Sequence, residues 1–421
     1  MFSVISNTWA LLLGVLLLMV GNGLHSTLLG VRGDLEGFST FELSIVMSSY
    51  FVGFMGASRI VPEMIRRVGH VRVFAALGSF ISAVFILFPT FVDPIVWSIG
   101  RIIIGFCFCG VYVTAESWLN NSVTNETRGQ ALSVYMIIQM AGVVAAQWLL
   151  SVADPAGFVL FIIISVLVSI SFAPILLSIS PTPAFEQTKR MKLTDLIKNS
   201  PLGCAGMFLL GGVFAAQFGM SAVFGAQINL SLGQISTFVA AFYVGAMLMQ
   251  YPIGWLSDRM DRRTLIAAVA FIGSMASILA FSTGENFFVL LIVAFLIGGM
   301  ANPLYSLLIA HANDYLDYDD MAACSGGLLF INGLGAIAGP IVIGQVMDGF
   351  GPYAFFLIIA ALMGLLSLYA VYRMTQRPAL DVDEMNAYAP VAPSSSVVVM
   401  ELAQEYAIDV AMEEESNENA T

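Results

Sequence analysis

Three side chains in this sequence stand where chemistry is expensive: His25, Arg101 and Glu116 each lie inside a stretch of some twenty apolar residues. A charge or strong dipole placed in hydrocarbon is costly, so such a residue is kept for a wet cavity, a partner group or a proton path. Glu116 follows Arg101 by fifteen residues, about 22 Å along a helix at 1.5 Å per residue, so the two cannot pair. Glu116 reads either as a proton-binding carboxylate or as the partner of a nearby basic group, Arg59 or Arg128. Arg101 reads either as the receptor for an anionic solute or as a packing residue tying spans one, two and four through backbone carbonyls. His25 precedes Gln217 by 192 residues. It could relay protons near neutrality or act as a neutral hydrogen-bonding ring. Further uncharged polar groups in apolar stretches are Asn22, Gln139, Gln147, Tyr243, Gln250, Asn302, Tyr305 and Asn332. They suit either a neutral or zwitterionic solute path or bonds between helices of about 0.6 to 2 kcal/mol each.

The elements that must hold these groups follow from composition. The chain has 421 residues, of which 58% are hydrophobic and 10% charged, against about 25% charged in a soluble domain. Apolar runs long enough to cross a hydrocarbon core of about 30 Å recur throughout. They fall at 8–31, 40–65, 71–91, 94–118, 130–152, 156–178, 201–228, 233–257, 264–282, 287–311, 322–347 and 352–374. The fold class expected is therefore an all-α polytopic membrane protein of twelve transmembrane helices. The first run lacks a basic flank and a small-residue cleavage site, so it is expected to remain as a span. Cys107, Cys109, Cys204 and Cys324 all fall in spans and read as apolar packing residues.

Of the sixteen Lys and Arg residues, fourteen fall in or beside loops that follow even-numbered spans. By the positive-inside rule these loops, and both termini, are expected on the cytoplasmic side of a bacterial inner membrane. The longest internal loop, 179–200, is basic and contains Pro181 and Pro183; it separates an N-terminal bundle, 1–178, from a C-terminal bundle, 201–374. Residues 375–421 carry ten acids against Arg377 alone, which accounts for most of the net charge of −12. That composition reads as a solvated, disordered cytoplasmic tail, with 396–415 able to form at most a short amphipathic helix.

The two bundles are related. Met64-Ile65-Arg66-Arg67-Val68-Gly69-His70-Val71-Arg72 precedes Leu256-Ser257-Asp258-Arg259-Met260-Asp261-Arg262-Arg263-Thr264 by 192 residues, with Tyr50 and Gly53 upstream matching Tyr243 and Gly245. Such duplication favours a substrate site at mid-membrane between the repeats.

Gly254-Trp255-Leu256-Ser257-Asp258-Arg259-Met260-Asp261-Arg262-Arg263 closely resembles the loop motif of the major facilitator superfamily. Arg101 and Gly105 resemble that family's Arg-x-x-x-Gly signature, and Gly339-Pro340 in span eleven resembles its Gly-Pro helix motif. Glu116-Ser117-Trp118-Leu119-Asn120, Pro303-Leu304-Tyr305-Ser306 and His311-Ala312-Asn313-Asp314 look like the YcaD-like bacterial branch. The resemblance covers residues 8 to 374 and implies two pseudo-symmetric six-helix bundles in a major facilitator fold. It also implies a secondary active transporter that moves a small solute by alternating access, with proton coupling a candidate and a monomer as the working unit. Gly254, Asp258, Arg259, Asp261, Arg262 and Arg263 would then form a loop latch. Two departures stand out: the first-half copy has Pro62 and Arg66 where the motif has Gly and an acid, and span five has Gln139, Ala141 and Gly142 in place of Gly-Pro.

Other classes are weaker. No phosphate-cradling loop, zinc cluster or nucleophile elbow occurs, so the chain reads as no enzyme, with no cofactor and no metal. Too few basic residues remain for nucleic acid. The rival is a transporter-derived receptor signalling through its tail. The acids at 314–320 lack calcium-loop spacing and read as a solvated loop.

Overall fold

The computed structural model describes residues 2–122, 124, 127–177, 191–283, 286–316, 318–378, 385, 388–396, 398–400 and 402–406. Among these residues the structure is helical, with no strand. The N-terminal half contains α1 (Phe2–Leu35), α2 (Thr40–Val68), α3 (His70–Leu87), α4 (Pro94–Asn121), α5 (Arg128–Leu149) and α6 (Val159–Leu177). A short α7 (Leu193–Asn199) leads to the C-terminal half. This comprises α8 (Pro201–Ala215), α9 (Ser221–Gln227), α10 (Leu232–Ser257), α11 (Arg262–Thr283), α12 (Phe287–Asn313), α13 (Tyr318–Phe350) and α14 (Ala354–Met374). The segment Ala216–Met220 between α8 and α9 is a single π-helical turn within one continuous span. Eleven helices are long and apolar enough to cross a membrane; α6, of 19 residues, is the shorter twelfth.

The duplication is written into the helix starts. Ser39 caps α2 with a box closed by Glu42, and 192 residues later Ser231 caps α10 with a box closed by Gln234. Each serine hydroxyl accepts from the third amide of the helix while the third side chain reaches back to the serine amide, satisfying two orphan donors. Asp93 begins α4 and Asn286 begins α12 with side-chain caps of the same kind. The close crossings repeat as well. A Cβ at Gly53 on α2 would overlap the Ile102 carbonyl on α4, and one at Gly105 would overlap the Tyr50 carbonyl. In the second half, Gly245 on α10 abuts the Phe295 carbonyl and Gly298 on α12 abuts that of Phe242. Small residues let these backbones touch where lipid supplies no hydrophobic drive for association.

Within the first half α1 packs on α5 and α6, α2 on α4, and α3 on α4 and α6; in the second α8 packs on α13, α10 on α12, and α11 on α12 and α14. The halves meet along α2–α13, α5–α10 and α1–α9. Toward the ends of the helices opposite the α6–α7 linker this contact is tight. There Ser48 donates to the Ile337 carbonyl at 2.6 Å, Gln227 donates to Thr40 at 2.5 Å, and Gly30 and Gly344 seat against Ala222 and Ser44. At the linker face the halves are bridged instead by residues 388–396, 398–400 and 402–406. The expectation of a solvated tail is corrected for this segment. Val391, Ala392, Ser395, Ser396, Val399, Met400 and Leu402 are all buried, and 398–400 and 402–406 are helical. The physical reason is local composition: residues 385–400 contain no charged side chain, so this part of an acidic tail gains by leaving water. Residues 407–421, with the remaining acids, lie outside the described residues.

Candidate functional site

Between the halves lies a cavity of about 160 Å³. The first half contributes Asn22 and Ser26 from α1, Tyr50, Phe54 and Ser58 from α2, Arg101 and Tyr112 from α4, and Gln139 from α5. The second contributes Phe214 and Phe218 from the α8 span, Tyr243 from α10 and Asn332 from α13. Pro393 and Ser394 of the tail line it on the linker side.

Its walls are aromatic. Phe214 and Phe218 stack at 5.6 Å with planes 7° apart, and Phe218 and Tyr243 stack at 5.4 Å. Opposite them stand Tyr50, Phe54 and Tyr112, and Asn22 donates to the Tyr112 hydroxyl at 3.1 Å. Among the described residues that line the cavity, Arg101 is the only ionic side chain. Its Nη1 lies 3.3 Å from His25 Nδ1, its Nη2 is 3.7 Å from the Met47 sulfur, and its guanidinium carbon sits 4.8 Å over the Tyr50 ring. Its Nε has no partner. Arg101 thus does tie spans one, two and four, but through side chains and not the backbone carbonyls expected from the sequence. Because arginine has no lone pair to offer, His25 Nδ1 must accept, which leaves the imidazole proton on Nε2.

His25 itself does not face the cavity. It is fully buried behind Arg101, with its ring 4.5 Å from Phe85 and 5.0 Å from Phe88. Gln217, its counterpart 192 residues on, sits in the π-helical turn, also buried, and neither end of its amide has a partner. The expected His25 and Gln217 pair therefore backs the cavity and does not line it. Among the other expected residues, Gln139, Tyr243 and Asn332 line the cavity, while Asn302 and Tyr305 lie behind it. Asn302 donates to the Gly298 carbonyl at 3.1 Å, Asn332 to that of Met207 at 2.9 Å, and Tyr305 packs edge-on against Phe214.

Glu116 stands nearer the linker face. Among the described residues it is the only Asp or Glu that is completely buried. Its partners are not the arginines expected. Tyr135 donates to Oε1 at 2.9 Å, while the Ser396 amide donates to Oε2 at 2.9 Å and the Ser396 hydroxyl donates to the same oxygen. Arg59 lies over the Phe330 ring of the other half and Arg128 pairs with Glu405 at 2.9 Å. Sequence reasoning missed Ser396 and Ser394, because the ten acids around them dominated the composition. The run without charge at 385–400 was the available signal.

The loop between α10 and α11 is wired through buried contacts. Arg262, 1% exposed, pairs with Asp314, 2% exposed, and donates from Nε to Ser257 at 3.1 Å. The reading of Asp314 as part of a solvated loop is thereby corrected; Asp317 lies outside the described residues. Arg263 holds Asp261 at 3.1 Å and donates to the Arg377 carbonyl at 2.7 Å, while Arg259 lies 4.3 Å over Trp255. Asp258 accepts the Tyr388 amide at 2.9 Å. Burial pushes the Asp258 carboxyl above its ordinary range, and the Tyr388 amide and Arg262 pull it back. A Cβ on Gly254 would meet the Tyr388 ring at 2.7 Å, so the motif's leading glycine is needed for the tail to pass.

Twelve helices in two packed halves, with a polar-aromatic cavity between them, define a polytopic membrane transporter. The Major Facilitator Superfamily model matches residues 11–228 and again 202–402, and the chain belongs to that family. It is 25% identical over 354 residues to an uncharacterized MFS-type transporter, YcaD, of Escherichia coli, covering 83% of this chain and 91% of that protein. The fold is similar to that of the nucleoside transporter NupG, with TM-score 0.71, 16% identity, and coverage of 88% of this chain and 99% of that one. It is also similar to a bacterial homolog of the human lysosomal transporter Spinster in an inward-facing, unoccupied conformation, with TM-score 0.62, 14% identity, and coverage of 95% and 97%. The protein is a transporter of this family and not an enzyme.

Proposed function

We propose that the protein is a secondary carrier for a small organic anion bearing a flat apolar part, coupled to protons at Glu116 and working by alternating access in a bacterial inner membrane. The observation that carries the anion is Arg101: a cation 2% exposed that faces the cavity with no carboxylate among the residues lining it. A buried charge needs a counter-charge, and a bound anion supplies one. The aromatic walls suit a planar group, and a cavity of about 150 Å³ is enough for a benzene ring. Glu116 is the buried carboxylate able to take up and release a proton between the cavity and the linker face. The linker face, rich in arginine and lysine, is placed in the cytoplasm together with both termini.

The test is counterflow and uptake of radiolabelled benzoate in proteoliposomes, with benzamide and benzylamine as the neutral and cationic controls. Benzoate should move and the controls should not; Arg101→Ala should abolish both modes. Glu116→Gln should abolish accumulation driven by an imposed pH gradient yet leave counterflow, since exchange needs no net proton release. Gradient-driven uptake that survives Glu116→Gln would remove the coupling role, and equal transport of benzamide would remove the anion. The docked tail gives one observation to the receptor reading, in which a cavity ligand would expel the tail as a signal. Binding of benzoate with no transport of it in either mode would favour that reading.

A further inference from the structure

We propose that residues 388–406 are a tethered plug that seats in the linker-side mouth of the cavity and holds the carrier shut. This rests on the transporter reading above and assigns a regulatory partner to the same site.

The receptacle is specific at each step. Tyr388 packs its ring on Gly254, accepts at its hydroxyl from Gln250 at 2.8 Å, and donates its amide to Asp258. Val391 exchanges two hydrogen bonds with the Ser306 hydroxyl of α12, at 2.9 and 3.2 Å. Ser394 then crosses to the other half and donates to Gln139 of α5 at 2.8 Å. Ser396 gives both its amide and its hydroxyl to Glu116 of α4. Gln404 returns to α13, bonding the Met321 carbonyl at 2.9 Å and the Ser325 hydroxyl, and Glu405 pairs with Arg128 while the Tyr406 ring seats on Gly129. A loose or shifted tail would take hydrogen-bond partners from the buried Glu116, Gln139 and Ser306, which is what fixes the register.

Three consequences follow from that path. Pro393 and Ser394 line the cavity on this side, so the docked segment stands in the path of a solute moving between it and the linker face. Ser396 occupies Oε2 of Glu116, leaving that oxygen no free access for a proton arriving from the same side. Finally, the segment is bonded to α4 and α5 on one side and to α10, α12 and α13 on the other. The rocking that would bring the two halves together at this face cannot occur around it. One segment therefore blocks the path, caps the carboxylate and props the halves apart; transport requires it to leave.

The test uses the full chain in nanodiscs. Hydrogen exchange across 388–406 reads docking without any substrate, and the reaction of Ser58→Cys, a cavity position, with a charged methanethiosulfonate reagent reads occlusion. Ser396→Asp places a second carboxylate against Glu116. Two carboxylates at one buried site repel unless one of them stays protonated, so tail exchange and thiol labelling at position 58 should each rise at least about tenfold. Tyr388→Ala, which breaks the seat on the opposite half, should act in the same direction and serves if Ser396→Asp misfolds. Benzoate counterflow should rise with the labelling rate. A wild-type tail that exchanges as free chain, or a released tail with unchanged labelling and unchanged counterflow, overturns the plug. If no variant moves benzoate while exchange and labelling behave as stated, the carrier assignment fails and the docked tail stands.

Discussion

The loop after α2 and the loop after α10 descend from one duplicated sequence and sit at matching places in the two halves, yet they do opposite things. In the first, Glu63 is held by Arg66 and Arg67 at 2.7 Å each, three and four residues away, and both arginines are more than 60% exposed. The second sends Arg262 into the interior to pair with Asp314 and presents Asp258 to the tail. The substitutions that separate them are few. Gly254 is matched by Pro62, Asp258 by Arg66, and Arg262 by His70. Proline at the first position fills the space through which a Tyr388-like ring would pass, and arginine at the second turns an acceptor of backbone amides into a donor. A copied motif thus keeps its fold and loses its connections when the acid and the glycine are lost. Of the two loops, only the one after α10 bonds the tail.

The largest effect should come from cutting the buried pair. Arg262→Ala takes from Asp314 its buried ion-pair partner, and breaking a buried ion pair from one side costs about 3 to 5 kcal/mol. The expected result is a markedly lower melting midpoint in detergent, or loss of folded protein, with much of the stability recovered by the apolar double replacement Arg262→Met and Asp314→Leu. If the single substitution melts like wild type, the pair is not what distinguishes this loop. A smaller effect is expected at Asp258. Asp258→Ala removes the acceptor of the Tyr388 amide, a loss of about 1 to 3 kcal/mol for a hydrogen bond to a charged group. It should appear as faster exchange across 388–396 with little change in the melting midpoint. A fall in global stability without faster tail exchange would mean that Asp258 braces α10 and α11 and does not hold the tail.

Much of this was legible from spacing. The twelve apolar runs lie within a few residues of the helices, because hydrophobic length is the signal a bilayer reads. The 192-residue offset between the loops reappears in the Ser39 and Ser231 caps and in the paired glycine crossings. Arg101 was legible only as one of two things, a solute receptor or a packing residue, since a lone cation in an apolar span needs either a cavity or partner groups. His25 and Gln217 were harder: a repeat places two residues at one level without saying which way each helix turns, and the π-helical turn at Ala216–Met220 shifts the facing locally. The tail was obscured by averaging. Its net charge is set by residues flanking an uncharged stretch, and among the described residues it is that stretch, continued to Tyr406, that docks. Which carboxylate would bind Ser396 could not be read at all, because Glu116 and Ser396 are 280 residues apart and share no pattern.

The smallest effect tests the exposed copy. Arg66→Asp restores an acid where the intact motif has one, and Glu63→Gln removes the carboxylate that both arginines hold. These groups lie in water, where a local ion pair contributes little and long side chains can rearrange. Neither substitution should shift the melting midpoint, tail exchange or thiol labelling of the Ser58→Cys background measurably. The new acid at position 66 would have no tail amide to accept from, since the tail reaches α10 through Gly254 and Asp258 and touches the first half at Gly129, Glu116 and Gln139. A destabilisation by Arg66→Asp comparable to that of Arg262→Ala would show that the first loop also carries a conformational contact. The asymmetry would then belong to the state in which the tail is docked, and the two loops would exchange roles when the carrier turns over.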